Sequence, residues 1–106
     1  MVKIVRDNDN KAEVKPEGDV VASRADELRS ELKRLVGEGV SELTLDMTGV
    51  EVVDSIGLGL LISAHNSLAK AGGKLNVVNV SQDIHELLRN MRLDRHFTIA
   101  GAQGGV

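Results

Sequence analysis

A serine between an acidic residue and two glycines is the part of this chain whose residue types could do chemistry. Residues 53–61 read Val-Asp-Ser-Ile-Gly-Leu-Gly-Leu-Leu and follow a strand-like run at residues 43–47. They also open an apolar run with helical spacing, so Ser55 lies where a strand ends and a helix begins. Backbone N–H groups at a helix start lack intrahelical partners and favour a phosphate or another acceptor. The pattern predicts that Ser55 is the functional centre.

Helix capping is the simpler interpretation of Asp54 and Ser55, because both residue types are favoured at helix N-caps. Capping and a functional role can coexist at one turn. An enzyme is not indicated, since the chain has neither the Gly-x-Ser-x-Gly surroundings of a hydrolase nucleophile nor a phosphate-binding loop sequence. No cofactor motif is present, and the three histidines lack metal-ligand spacing. We therefore expect no catalytic residue, cofactor or metal.

The residues after Ser55 allow two interpretations each. Gly57 and Gly59 could permit close approach of a partner, or they could let the helix pack tightly against the sheet. Ile56 and Leu58 could be exposed contacts for a partner, or they could belong to the core. Because later leucines already fill the inner face of the helix, we expect at least one of Ile56 and Leu58 to be exposed.

Composition restricts the class of protein. A chain of 106 residues suffices for one domain with one core. Phe97 is the only aromatic residue and the formal net charge is −3, so no nucleic-acid surface is indicated. The absence of cysteine excludes disulfides and thiolate chemistry. With a charged N-terminus and no long apolar run, the chain is expected to be cytoplasmic, without direct membrane insertion.

The first part of the chain predicts a hairpin and a helix. Apolar residues alternate with polar ones on either side of an Asp-Asn-Asp-Asn turn at residues 7–10. An amphipathic helix follows, with Ser23 as its expected N-cap and acidic residues in its first turn. Its inner face is predicted to consist of Leu28, Leu32, Leu35 and Val36.

From residue 42 onward, strands and helices alternate. Such alternation predicts a parallel sheet with right-handed crossovers, to which the hairpin adds an antiparallel edge. The predicted strands are residues 42–47, 74–80 and 97–99. The helices between them are expected to follow Ser55 and Ser81. Their inner faces are expected to be made of Leu60, Leu61, Ala64 and Leu68, and of Ile84, Leu87, Leu88 and Met91.

Taken together, these residues resemble the STAS domain, the family of bacterial anti-sigma factor antagonists. Residues 45–50 and 53–61 carry the resemblance, supported by residues 18–20, 72–75 and 91–99. The resemblance spans nearly the whole chain, and the Asp-Ser-x-Gly-Leu-Gly core is fairly specific. It implies an α/β fold with a STAS-like mixed sheet of four to five strands and helices packed mainly on one side. We expect a single domain over residues 1–106, with a flexible tail at 101–106.

The resemblance also implies a function. A family member of this kind is an anti-sigma factor antagonist that binds a serine-kinase anti-sigma factor while Ser55 is unphosphorylated. The kinase phosphorylates the serine and breaks the complex, and a PP2C-type phosphatase restores the binding form. Exposed apolar residues near the turn could pair, so the protein is expected to be a monomer or a weak dimer. The expected partner-binding residues are Asp54, Ser55, Ile56, Gly57, Leu58 and Gly59.

Position 56 departs from the family pattern. The family core is commonly Asp-Ser-Ser/Thr-Gly, with two adjacent hydroxyl groups, whereas Ile56 replaces the second hydroxyl here. Phosphorylation is then either confined to Ser55 or absent, and Ser55 is favoured because it keeps its place beside Asp54 and the glycines. The missing hydroxyl leaves an alternative open: a non-phosphorylated cytoplasmic STAS subunit of a lipid-trafficking ABC transporter or of another signalling complex.

Overall fold

A mixed five-stranded sheet and three α-helices make up the described part of the chain, residues 2–101 of a computed structural model. The strands lie side by side in sequence order. They are β1 (Lys3–Asn8), β2 (Lys11–Lys15), β3 (Glu42–Asp46), β4 (Lys74–Val80) and β5 (Thr98–Gly101). The helices are α1 (Ala25–Gly37), α2 (Ser55–Lys70) and α3 (Gln82–Asn90), with short 3-10 turns at Ala22–Arg24 and Leu93–Arg95.

The predicted hairpin and the predicted parallel sheet are both confirmed. β1 pairs antiparallel with β2, which places Ile4 opposite Val14. The turn between them is closed by the Asn10 N–H, which donates to the Asn8 side chain at 3.0 Å. β2, β3, β4 and β5 then pair in parallel. All carboxyl ends of these four strands therefore lie along one edge of the sheet, where α1, α2 and α3 begin.

The helices cover one face of this sheet, as the expected fold class requires. Side chains alternate across a strand, so each strand has an inner and an outer set. The inner set is buried in one continuous core with apolar residues of all three helices, and it includes Ala12, Val14, Leu43, Leu45, Leu75 and Val77. The outer set is mostly polar and exposed or half-buried, and it includes Lys11, Glu13, Thr44 and Asn76.

The predicted helix faces form most of the helical side of the core. Leu28, Leu32 and Leu35 of α1, Leu60, Leu61, Ala64 and Leu68 of α2, and Ile84 and Leu88 of α3 are buried. Val36 and Leu87 are half-buried. The prediction for Met91 is wrong, because this side chain is 47% exposed. α3 ends at Asn90, and the left-handed backbone of Arg92 (φ 61°) turns the chain away from the helix face.

The prediction that Ser23 caps α1 is also wrong. Ser23 lies inside the 3-10 turn, α1 begins at Ala25, and Arg24 occupies the N-cap without a side-chain hydrogen bond. The turn is held from elsewhere, because the carboxylate of Asp54 accepts a hydrogen bond from the Ala22 N–H at 3.0 Å. Asp54 therefore fixes the 3-10 turn before α1, whereas the N-cap of α1 itself has no side-chain acceptor.

The C-terminal strand differs slightly from expectation. β5 starts at Thr98 rather than Phe97, and Phe97 is buried. Gly101 was expected to begin a flexible tail, but it pairs with Val80 and ends β5. The rest of that predicted tail, residues 102–106, lies outside the described residues. Within residues 2–101, no helix has the length and apolar character needed to cross a membrane.

Candidate functional site

Asp54 caps helix α2, and Ser55 is the first residue of that helix. Asp54 has an extended backbone, and its carboxylate Oδ1 accepts a hydrogen bond from the Gly57 N–H at 2.8 Å. Its backbone carbonyl accepts from the Leu58 N–H, also at 2.8 Å. The capping interpretation therefore holds for Asp54. Ser55 is not the cap, and it is exposed at the start of the helix.

A second segment, residues 19–22, forms the other half of the site. The Val20 N–H donates to the Val52 carbonyl at 3.0 Å, and the Asp54 N–H donates to the Val20 carbonyl at 3.3 Å. These two bonds make an isolated parallel bridge between Val20 and Val53. The second carboxylate oxygen of Asp54 accepts from the Ala22 N–H. Asp54 thus joins the start of α2 to the segment that leads into α1.

Asp19 makes a similar connection one step earlier. Its Oδ1 accepts hydrogen bonds from the N–H groups of Glu51 and Val52, at 3.0 and 3.1 Å. Two aspartates, 35 positions apart in the chain, therefore hold the same loop from both sides. In the sequence analysis, Asp19 contributed to the family resemblance but was not predicted to belong to the site. Its role could have been suspected from its position directly after a glycine and before a short apolar pair. An aspartate in such a turn can accept hydrogen bonds from loop N–H groups.

The two glycines of the site serve different purposes. Gly57 is buried, and a Cβ placed on it would lie 2.0 Å from the Val20 carbonyl oxygen. Gly59 is exposed, and a Cβ placed on it would meet nothing within 4 Å. Gly57 therefore allows close packing within the domain, but its neighbour is the segment before α1 and not the sheet, as had been expected. Gly59 is open to any molecule that covers the start of α2.

Exposed apolar side chains flank Ser55. Ile56 is 46% exposed, whereas Leu58 is half-buried against the core, so the prediction that at least one of them is exposed is confirmed. Val52 is 50% exposed and lies three residues before Ser55. Sequence reasoning missed Val52, although in the adjacent pair Val52 and Val53 an extended backbone points the two side chains to opposite sides. We call Val52, Ser55 and Ile56 the Ser55 face.

The carboxylates near this face are held in the ionised form. Hydrogen bonds from the Gly57 and Ala22 N–H groups lower the pKa of Asp54 below its ordinary value. Burial opposes ionisation of Asp46 at the end of β3, but hydrogen bonds from Thr48 and Asn79 outweigh it and lower the pKa of Asp46 as well. Both groups are therefore negative at neutral pH.

The side chains around Ser55 have the following chemical partners. No group of three or more His, Cys, Asp or Glu side chains suited to a metal ion occurs in residues 2–101. Asp54, the carboxylate next to Ser55, has both oxygens engaged by backbone N–H groups. The fold and the site together define a small α/β protein with a one-sided sheet, in which an exposed serine begins a capped helix next to exposed apolar side chains.

Comparison with known proteins identifies the family of this chain. The model of the STAS domain matches residues 3–102. The anti-sigma-B factor antagonist of Bacillus subtilis (strain 168) is 31% identical over 97 residues, which cover 92% of this chain and 80% of that protein. The chain belongs to the STAS domain family, as its sequence predicted.

Solved structures confirm the fold. The anti-sigma factor antagonist SpoIIAA superposes with a TM-score of 0.82 in its unphosphorylated form, at 14% identity over 94% of this chain and 88% of that one. The phosphorylated form of Bacillus SpoIIAA gives 0.77, at 14% identity over 94% and 91% of the chains. An anti-sigma factor antagonist from Mycobacterium paratuberculosis gives 0.79, at 23% identity over 94% and 86%.

Proposed function

We propose that this protein is an anti-sigma factor antagonist, a protein-interaction module that binds a serine-kinase anti-sigma factor when Ser55 is unphosphorylated. The observation that carries the proposal is the Ser55 face: an exposed hydroxyl at a helix start, between Val52 and Ile56, which are each about half exposed. The related antagonist of Bacillus subtilis and the existence of SpoIIAA in a phosphorylated form support it.

Phosphorylation at this position acts on the partner more than on the domain. A phosphate adds roughly −1.5 to −2 charges at neutral pH. The dipole of α2 stabilises a dianion at its first residue, while the neighbouring Asp54 repels it, so these two effects partly cancel within the domain. A partner that packs on Val52 and Ile56 must remove water from the phosphate, which is strongly unfavourable without a matching cation. The phosphorylated protein therefore releases the partner and stays folded.

The partner set follows from this switch. The kinase that modifies Ser55 is the anti-sigma factor itself, and a PP2C-type phosphatase restores the binding form. The protein acts in the cytoplasm, as a monomer or a weak dimer. Contacts are made by the exposed members of residues 54–59, above all Ser55 and Ile56, together with Val52. Gly57 contributes by allowing the close packing that shapes this face.

Site-resolved mass spectrometry of the protein from its own cells, with and without phosphatase treatment, tests the proposal. We expect a phosphate on Ser55 and on no neighbouring residue, and loss of kinase binding in the phosphorylated protein. Ser63, an exposed serine farther along α2, provides the matched control, because Ser63→Ala should leave both modification and binding unchanged. A Ser55 that stays unmodified in every growth condition, or a phosphorylated protein that binds as tightly as the unmodified one, contradicts the switch.

Ile56 supports a second candidate function. A STAS subunit of a lipid-trafficking ABC transporter, or of another signalling complex, needs the apolar face but no hydroxyl pair, and Ile56 extends that face where the family commonly has a second hydroxyl. Co-purification separates the two candidates. A serine kinase recovered with the protein supports the antagonist, and a membrane complex that is recovered equally with Ser55→Ala supports the transporter subunit.

A further inference from the structure

A cavity of about 500 Å³ lies beside the Ser55 face, between the loop after β3 and the loop after β4. Its lining consists of residues 47–51 together with Asn79 and Ser81. The two loops follow neighbouring parallel strands, so the cavity opens at the carboxyl edge of the sheet. Open α/β sheets commonly bind their ligands outside this edge.

One carboxylate joins the loop after β3 to the end of β4. Asp46 Oδ1 accepts hydrogen bonds from the Thr48 N–H at 3.0 Å, the Thr48 hydroxyl at 2.6 Å and the Asn79 side-chain amide at 3.0 Å. Asn79 also has a left-handed backbone (φ 57°), which turns the end of β4 towards the cavity. Because both walls are fixed by the same group, the cavity exists before anything binds to it.

The charge of the cavity selects for a cation. Among the described residues that line it, Glu51 is the only ionisable one, and no lysine, arginine or histidine is present. Glu51 is exposed and forms no ion pair with any residue between positions 2 and 101. The ionised Asp46 lies directly behind the wall. A negative cavity of this kind repels phosphates and carboxylates and attracts a positively charged group.

Glu51 of the cavity is followed directly by Val52, whose exposed side chain is part of the Ser55 face. A protein that contacts Val52 therefore comes close to Glu51. Met47 and Val50 also line the cavity, but both are buried, so a bound side chain meets mainly the exposed residues Thr48, Gly49 and Glu51.

We infer that this cavity receives an arginine side chain of the protein that binds the Ser55 face. The guanidinium group donates to the Glu51 carboxylate, and its methylene groups lie along the exposed loop at Thr48 and Gly49. Arginine fits better than lysine, because its planar group is more weakly hydrated and matches a carboxylate with two parallel hydrogen bonds. This inference rests on the proposed function for the identity of the partner, but the recognition of a guanidinium group can be tested without that partner.

The test is an NMR titration of the full chain with N-acetyl-arginine methylamide. The matched control ligand is the citrulline derivative, which has nearly the same shape and no charge. We expect the arginine derivative to shift the amide signals of Gly49, Glu51 and Asn79, and the citrulline derivative to leave them in place. Glu51→Gln should weaken the arginine derivative about fivefold to tenfold, where tenfold corresponds to about 1.4 kcal/mol. Glu13→Gln, on the open face of the sheet, should have no effect.

A second measurement uses the partner kinase. Glu51→Gln should weaken kinase binding about tenfold, with an unchanged thermal midpoint, because Glu51 contributes only its backbone N–H to the hydrogen bonds of the domain. Equal shifts with the arginine and citrulline derivatives overturn the inference. So does a Glu51→Gln variant that binds either the arginine derivative or the kinase as tightly as the wild type does. The proposed function can fail separately, because a kinase that does not bind the protein at all leaves the result of the arginine titration unchanged. Conversely, a kinase that phosphorylation releases but whose affinity Glu51→Gln does not change contradicts only the proposal of an arginine in the cavity.

Discussion

The carbonyl oxygen of Val20 occupies the space that a side chain on Gly57 would need, 2.0 Å from an ideal Cβ position. Val20 lies before α1 and Gly57 lies in the first turn of α2, so two distant parts of the chain meet at the candidate site. The same two parts are joined by Asp54, which accepts from Ala22 on one side and from Gly57 on the other. The close approach and the hydrogen bonds therefore depend on each other.

Gly57→Ala should destabilise the protein by about 1–3 kcal/mol, which is the usual effect of extra volume in a packed site. The methyl group must displace the backbone of Val20, and backbone cannot move away as a flexible side chain can. Urea unfolding measures the loss, and the amide signals of Ala22 and Gly57 should shift in the same variant.

Gly59→Ala is the matched control two residues farther along the same helix. A methyl group at this position meets nothing within 4 Å, so the substitution should stabilise α2 by about 0.5–1 kcal/mol, as alanine does in an exposed helix. Equal effects of the two substitutions, in either direction, would mean that the contact with Val20 does not govern packing at Gly57.

Asp19→Ala should lower the free energy of unfolding by about 1–3 kcal/mol, because two loop N–H groups lose their acceptor. Hydrogen exchange should accelerate most at Glu51 and Val52. Asp26→Ala is the control, since the Asp26 side chain is 98% exposed and its pairing with Arg29 is a surface contact. That variant should change stability by less than about 0.5 kcal/mol. Unchanged exchange at Glu51 in Asp19→Ala would show that Asp19 does not hold the loop.

Asp54 should contribute to acid sensitivity. Its pKa is lower in the folded protein than the ordinary aspartate value of about 3.9, so its stabilising effect is complete above that value. The effect is lost as the pH falls through the lower pKa of the folded state. Asp54→Asn keeps a favourable cap without the charge. The free energy of unfolding of this variant should therefore fall less steeply than that of the wild type between roughly pH 5 and pH 2. Urea midpoints across this range provide the measurement.

The pKa of Asp46 is also lowered in the folded protein. Asp46 should therefore account for part of the loss of stability with falling pH that remains in Asp54→Asn. Asp26→Asn, at a fully exposed position, should follow the wild-type curve. If Asp54→Asn and the wild type lose stability in parallel on acidification, the two backbone hydrogen bonds to the Asp54 carboxylate do not favour its charged form.

Ile56→Ala should weaken partner binding about tenfold and leave stability within about 0.5 kcal/mol, because the side chain is 46% exposed beside Ser55. Val5→Ala provides the comparison, since Val5 is 51% exposed on the edge strand β1, away from the Ser55 face. Calorimetric titration with the kinase distinguishes the two variants. Equal losses for Ile56→Ala and Val5→Ala would indicate that the partner does not use the Ser55 face.

Several elements were predictable because their signals are local. The hairpin follows from alternation around a turn, and residues 74–80 were predicted as a strand and form β4 (Lys74–Val80). The cap at Ser81 is confirmed, with its hydroxyl accepting from the Ile84 N–H at 3.3 Å. Ser23 and Met91 were predicted wrongly, since the turn at Ala22 is held by the distant Asp54 and the chain leaves the helix path at Arg92.

The sequence by itself determined that a capped helix begins at the pair Asp54 and Ser55, because a cap bonds to a residue three positions away and needs no other part of the chain. The structure shows that Asp54 is the cap. Tertiary structure decided that Asp54 also holds Ala22, 32 residues earlier, and that Gly57 packs against Val20. It also formed the cavity, from loops that follow two different strands. Periodicity specifies which side of each element is apolar, whereas only the pairing of strands brings distant carboxylates and N–H groups within hydrogen-bond distance.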